Sequence, residues 1–176
     1  MRNNQENKLP FSVGGHPAFN WPLLPDVDKA SHEIVFEKDE EAPLLQLEGG
    51  LLSETTLPSP IKNRKIALNE SLFENDALIF DKLTSNQISY KAGEKCELIM
   101  KFNDFPQLGI WKKPGADFVC LEPWVGYASP KSFDGEFSEK PGIVSLPGFM
   151  EVAYSFDLQL NTRSALNNLE GEQGKN

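Results

Sequence analysis

A side-chain period of two, repeated along this 176-residue chain, limits its fold more than any other feature. Val152, Tyr154, Phe156, Leu158 and Leu160 alternate with Ala153, Ser155, Asp157, Gln159 and Asn161. Cys96, Leu98, Met100 and Phe102 alternate with Glu97, Ile99 and Lys101 in the same manner. Successive side chains of a strand point to opposite faces, so such runs describe strands buried on one side. Shorter strand candidates are residues 33–37, 66–68, 77–83, 87–90, 107–112 and 117–122. Between them stand turn signals such as Lys113-Pro114-Gly115, Lys140-Pro141-Gly142 and Pro147-Gly148. No window shows a capped helical stripe. The fold class that follows is all-β and antiparallel, a sandwich or barrel.

Two segments depart from the pattern. Residues 49–60 form a long polar connection with two prolines, which reads as a hairpin excursion rather than a domain linker. Residues 161–176 lose apolar content and read as a polar C-terminal tail, leaving 1–160 as a single domain. A hydrophobic fraction of 39%, with 12 Phe, suits a packed core. The formal charge of −9 argues against nucleic-acid binding, which needs a basic footprint. Cys96 and Cys120 are too few for a disulfide framework and sit in apolar runs, as buried thiols do. No stretch approaches the ~20 apolar residues of a membrane-spanning helix. The N-terminal MRNNQENKLP has no apolar signal region, so a cytoplasmic location is expected.

Chemistry is suggested at few places. His16 lies in FSVGGHPAFN, where Gly14 and Gly15 widen the backbone choices and Pro17 narrows them. Such a turn can fix an imidazole for general acid work, or merely hydrogen-bond a carbonyl. Glu122 ends the run FVCLE, which alternation splits into Phe118, Cys120 and Glu122 on one face and Val119 and Leu121 on the other. A carboxylate there is either a partly desolvated base or a strand-terminal group reaching solvent. Asp76, in FENDALIF, is a turn former or a ligand for hydroxyls, and Asp81 beyond the same strand has weaker support. Trp111 and Trp124 flank the carboxylate and offer flat faces to a sugar ring, with core packing as the alternative. Trp21 reads as packing, His32 as an ordinary surface or strand-edge histidine, and Lys112, Lys113 and Lys131 as surface lysines. There is no metal-ligand spacing, no phosphate-cradling Gly loop and no nucleophile elbow, so no metal or cofactor is suggested.

Four segments, taken together and in order, resemble the aldose 1-epimerase (galactose mutarotase) family, most closely its LacX-type branch. They are LPFSVGGHPAFN, FENDALIF, LGIWKKPGADFVCLEPWVG and EKPGIVSLPG. The resemblance implies a large antiparallel β-sandwich with a cleft across one sheet, and cofactor-free interconversion of the α and β anomers of an aldohexose. By it, Glu122 would be the general base at the anomeric hydroxyl and His16 the general acid at the ring oxygen. Asp76 would hold sugar hydroxyls. Family members also carry a second active-site histidine, and commonly an arginine, in an N-terminal portion without counterpart here. The resemblance therefore implies an N-terminally truncated sandwich, the C-terminal part of the domain. A homo-oligomer or a complementing N-terminal chain would then complete it, with a monosaccharide as ligand. A carbohydrate-binding sandwich without turnover is the competing expectation.

Overall fold

The computed structural model describes residues 1–162. Its strands are β1 (Leu9–Phe11), β2 (Val13–Gly14), β3 (Ala18–Asn20), β4 (His32–Phe36), β5 (Leu44–Glu48), β6 (Leu51–Leu57) and β7 (Lys65–Ala67). They continue with β8 (Leu78–Asp81), β9 (Gln87–Ala92), β10 (Cys96–Lys101), β11 (Gln107–Trp111), β12 (Phe118–Val125), β13 (Val144–Leu146) and β14 (Asp157–Thr162). Only short 3-10 turns interrupt them. No helix among the described residues is long and apolar enough to cross a membrane.

The strands form two main antiparallel sheets. The larger has seven strands in the order β2-β12-β11-β8-β5-β6, with β3 also pairing with β12. The smaller has five, ordered β14-β10-β9-β4-β7. Alternation sends Ile34, Phe36, Ile88, Tyr90, Leu98 and Met100 of the smaller sheet inward. They meet Leu78, Phe80, Leu108, Ile110, Val119 and Leu121 of the larger. Phe36 and Phe80 join the layers edge-on, with ring centroids 5.7 Å apart. This is the all-β sandwich that the period of two demands.

The connection at 49–60 is indeed a hairpin. Gly49 and Gly50, at φ 62° and 84°, make the two-residue turn between β5 and β6, a conformation that glycine adopts without strain. The strand read over 152–161 is shorter than its alternation. Residues 152–156 run without a ladder, anchored by Tyr154 and Phe156 against Phe105 at 5.7 and 6.3 Å, and pairing begins only at Asp157. Asn161 and Thr162, assigned to the polar tail, are the last residues of β14. The rest of that segment, 163–176, lies outside the described residues.

Two expectations are corrected. His32 opens β4 and is only 1% exposed. Its Nε2 accepts from the Leu23 N–H at 2.9 Å, and its Nδ1 lies 2.9 Å from the Asp28 carbonyl, so backbone groups satisfy both ring nitrogens. Lys112 is likewise 1% exposed. Its ammonium bonds Glu70 and sits 5.1 Å from the centroid of the buried Trp21 ring, so pairing replaces the solvation lost on burial.

Candidate functional site

β12 is longer than FVCLE suggests. It runs through Pro123 and Trp124 to Val125, so Glu122 stands in mid-strand rather than at a strand end. Pro123 pairs in register with Leu108 on one side, and on the other its carbonyl accepts from the Gly15 N–H at 3.0 Å. Val119, Leu121 and Val125 face the core, while Cys120, Glu122 and Trp124 line the outer face of the larger sheet. Opposite them on β11 lie Trp111, Gly109 and Gln107, in register with Cys120, Glu122 and Trp124.

The outer face is shaped by missing side chains. A Cβ on Gly109 would come within 2.5 Å of the Trp124 ring, and one on Gly14 within 2.5 Å of its Cδ1. The indole of Trp124 therefore lies flat between two strands that only glycine lets approach. Gln107 underpins this wall. Its amide donates to Asp81 Oδ1 at 2.9 Å, and its carbonyl accepts from the Gly126 N–H at 2.9 Å.

His16 reaches the same face from the loop between β2 and β3. Its Nδ1 is 2.8 Å from Glu122 Oε1, with 62% of the histidine side chain but 8% of the glutamate exposed. The imidazole also tilts against Trp111, at a centroid distance of 5.9 Å. β2 and β3 are held by β12 itself, and the Gly15 N–H donates to the Pro123 carbonyl at 3.0 Å. Acid and base candidates thus hang on one ladder.

Asp76 precedes β8 in the left-handed region, at φ 76°, and its Oδ1 accepts from the Ala77 N–H at 2.8 Å. That is the turn role of an aspartate. The same turn brings Asp76 to the cleft. A hollow of about 220 Å³ is lined by His16, Leu47, Asp76, Ala77, Trp111, Glu122 and Trp124. All five residues expected at a site therefore converge on it. Asp81 does not line this hollow; it braces Gln107. Of the lysines, Lys131 pairs with Glu48 at the surface, Lys113 is exposed, and Lys112 is buried as described.

Burial raises the Glu122 carboxyl above the ordinary carboxylate range, and the charge of Asp76 adds to the rise. Attraction to His16 and hydrogen bonds from Trp124 and His16 oppose it. His16, Cys120 and Glu122 present donor atoms within 4.8 Å of one another, a spacing a metal ion can bridge. Burial pushes the Cys120 thiol up to about 11, aided by the Glu122 charge, which leaves it protonated and a poor metal ligand near neutrality. The arrangement sets a carboxylate that can take a proton beside an imidazole that can exchange one, at hydrogen-bond distance.

Gln107, Gly109 and Leu47 escaped the sequence reading. Gly109, alone between Leu108 and Ile110, carried a usable signal, since a glycine inside a strand marks a close approach. Leu47 enters the cleft from β5, on the face opposite the buried Leu44, and nothing in its local sequence marks that role.

No protein-family model matches the chain. Among curated proteins it is 28% identical over 160 residues to the plasmid-encoded LacX protein of Lactococcus lactis, covering 88% of this chain and 54% of that one. Among solved structures, a galactose mutarotase-related enzyme from Lactobacillus acidophilus superposes with a TM-score of 0.80 at 26% identity, covering 92% of this chain and 55% of that one. A galactose mutarotase-like protein from Lactobacillus casei gives a TM-score of 0.80 at 18% identity, a likeness of fold. The chain spans about half the length of these relatives. In fold and in the order of its sequence segments, the chain is similar to galactose mutarotase-related proteins and to the LacX proteins, about half of whose length it spans.

Proposed function

We propose that the cleft interconverts the α and β anomers of an aldohexose such as glucose or galactose. The observation that carries this reading is the 2.8 Å contact between His16 Nδ1 and a Glu122 carboxylate buried beside two tryptophans. Ring opening of a pyranose removes a proton from the anomeric hydroxyl and adds one to the ring oxygen. Glu122 takes the first proton as its ionised form, and His16 gives the second as its imidazolium form. The C1–O5 bond breaks as the C1–O1 bond gains its second component. After the aldehyde carbon rotates, closure reverses both transfers and returns each group to its starting state. Paired transfer avoids an alkoxide or an oxocarbenium ion standing alone, and general acid–base assistance of this kind contributes ~10²–10⁴-fold. Trp111 and Trp124 give apolar faces to the ring, and Asp76 accepts from its hydroxyls.

The raised carboxyl of Glu122 suits this role. A base with its affinity for protons raised above that of an ordinary glutamate is the stronger base in its ionised form. The test is polarimetry on freshly dissolved α-D-glucose and α-D-galactose. Acceleration by the chain, abolished in Glu122→Gln, is the expected result, and equal rates with and without protein would refute it.

A second reading, sugar binding without turnover, is favoured by the composition of the cleft. Neither an arginine nor a second histidine lines it among the described residues. Saturable heat of binding with no change in the rate of mutarotation would select this reading.

A further inference from the structure

The hollow that holds His16 and Glu122 is the middle of a longer trough. Toward β8 and β5 it opens into a second hollow of about 490 Å³, and the two share Leu47, Asp76 and Trp111 as a common wall. Toward β2 lies a third, of about 440 Å³, which shares His16, Glu122 and Trp124 with the first. The three stand in a row, because the outer two have no lining residue in common. From Glu122 on β12 to Leu47 on β5 the trough crosses three strand intervals, ~14 Å at the usual spacing within a sheet, which is more than one pyranose ring fills. The second hollow adds Glu74, Asn75 and Lys112 to its wall. Among the described residues the side chains of Glu74 and Asn75 are exposed and carry no hydrogen bond or ion pair, so both are open to a ligand. Lys112 keeps its ammonium on Glu70, which leaves that wall without a free cation.

We propose that this second hollow is a subsite for a second sugar residue, and that the substrate class extends to uncharged reducing disaccharides linked through O4. The inference deepens the acid–base reading given above and rests on it. Direction follows from the chemistry. His16 and Glu122 fix C1 of the reacting ring at one end of the central hollow, and mutarotation needs a free hydroxyl on C1. A second residue therefore cannot hang from C1 toward β2. C4 is the ring position opposite C1, so O4 points to the far end, where Leu47, Asp76 and Trp111 open into the second hollow. A residue joined there meets ring surface from Trp111 and hydrogen-bonding groups from Glu74, Asn75 and Asp76, the apolar face and hydroxyl partners that a sugar needs. A phosphoryl group in the same place would face the carboxylates of Glu74 and Asp76 with no free cation to offset them, so the charge of the wall selects the neutral class.

The test is calorimetry of the chain with glucose, maltose and isomaltose, the last two carrying their second glucose residue on O4 and on O6. Maltose should bind ~10-fold tighter than glucose, the worth of one or two added hydrogen bonds. Isomaltose should gain clearly less, since its link leaves from C6 beside the ring oxygen and not from the far end of the ring. Glu74→Ala with Asn75→Ala should bring the ratio of maltose to glucose affinity back toward one. Both Kd values come from one sample, so a partly folded variant does not blur that ratio. Equal affinities for glucose and maltose, an equal gain with isomaltose, or a ratio unmoved by the double substitution would each overturn the subsite and leave the acid–base reading intact. No heat with any of the three sugars would overturn that reading along with the subsite.

Discussion

The two faces of β12 are both largely buried and chemically opposite. On one, Val119, Leu121 and Val125 interlock with the smaller sheet, and burial alone accounts for them. On the other, Cys120 and Glu122 are just as hidden, but a carboxylate there must be solvated by its neighbours. His16 and Trp124 supply that solvation, and only in part, since the Glu122 proton affinity remains raised. A single strand thus shows how a sheet separates stability from chemistry. The inner face gains from excluding water, while the outer face holds a group at a cost that folding alone would not select.

The sharpest break of this symmetry is to neutralise one face and hollow the other. Glu122→Gln removes the charge with little change of shape, so the rate of mutarotation should fall ~10²–10⁴-fold while the thermal midpoint stays close to that of the parent. Leu121→Ala should do the reverse, lowering stability by ~2–5 kcal/mol in denaturant titrations through a cavity in the shared core. Were both substitutions to reduce activity and stability together, the two faces would not be separable.

Gly109→Val attacks the wall between the two faces. Its side chain would overlap the Trp124 ring, which a Cβ alone would approach to 2.5 Å. The indole must leave the cleft, and with it a hydrogen bond to Glu122 that favours ionisation. Sugar affinity measured by calorimetry should weaken.

The acid limb of the pH–rate profile is a finer test. The folded carboxyl holds its proton more tightly than an unfolded one, so its ionisation opposes folding. The stability it contributes is full below the ordinary glutamate value and is lost as pH rises through the folded value. Activity runs the opposite way, because the base must be ionised. The rate should rise with pH through a midpoint above the ~4.3 of a free glutamate. A midpoint at or below that value would show that the outer face is not dry. The smallest effect is expected at Asp76→Asn, which keeps the turn and one acceptor. It should raise KM several-fold, and with the Asp76 charge gone the acid limb should move slightly to lower pH.

Much of the inner face was legible in the sequence, because alternation is what a half-buried strand looks like in letters. The runs at Cys96–Lys101, Gln107–Trp111 and Phe118–Val125 carried it, although Pro123 made the last appear to stop early. β2 and β3, two and three residues long, are too short to show any period, yet they hold His16 in place. The outer face was readable only where residue type was informative by itself, as at Glu122, His16 and the tryptophans. The burial of His32 and Lys112 was not readable. Their partners, Leu23, Asp28, Glu70 and Trp21, meet them through folding, and no neighbour in sequence announces it.

The placement of the three tryptophans turns the molecule into its own optical instrument. Trp21 is sealed in the core between the ammonium groups of Lys29 and Lys112, at 5.2 and 5.1 Å from the ring centroid, whereas Trp111 and Trp124 line the cleft. Intrinsic emission therefore has one component that shifts to longer wavelength only on unfolding and another that answers to whatever enters the cleft. A Trp21→Phe chain would report occupancy alone, and a chain with Trp111→Phe and Trp124→Phe would report integrity alone, with no external dye in either case.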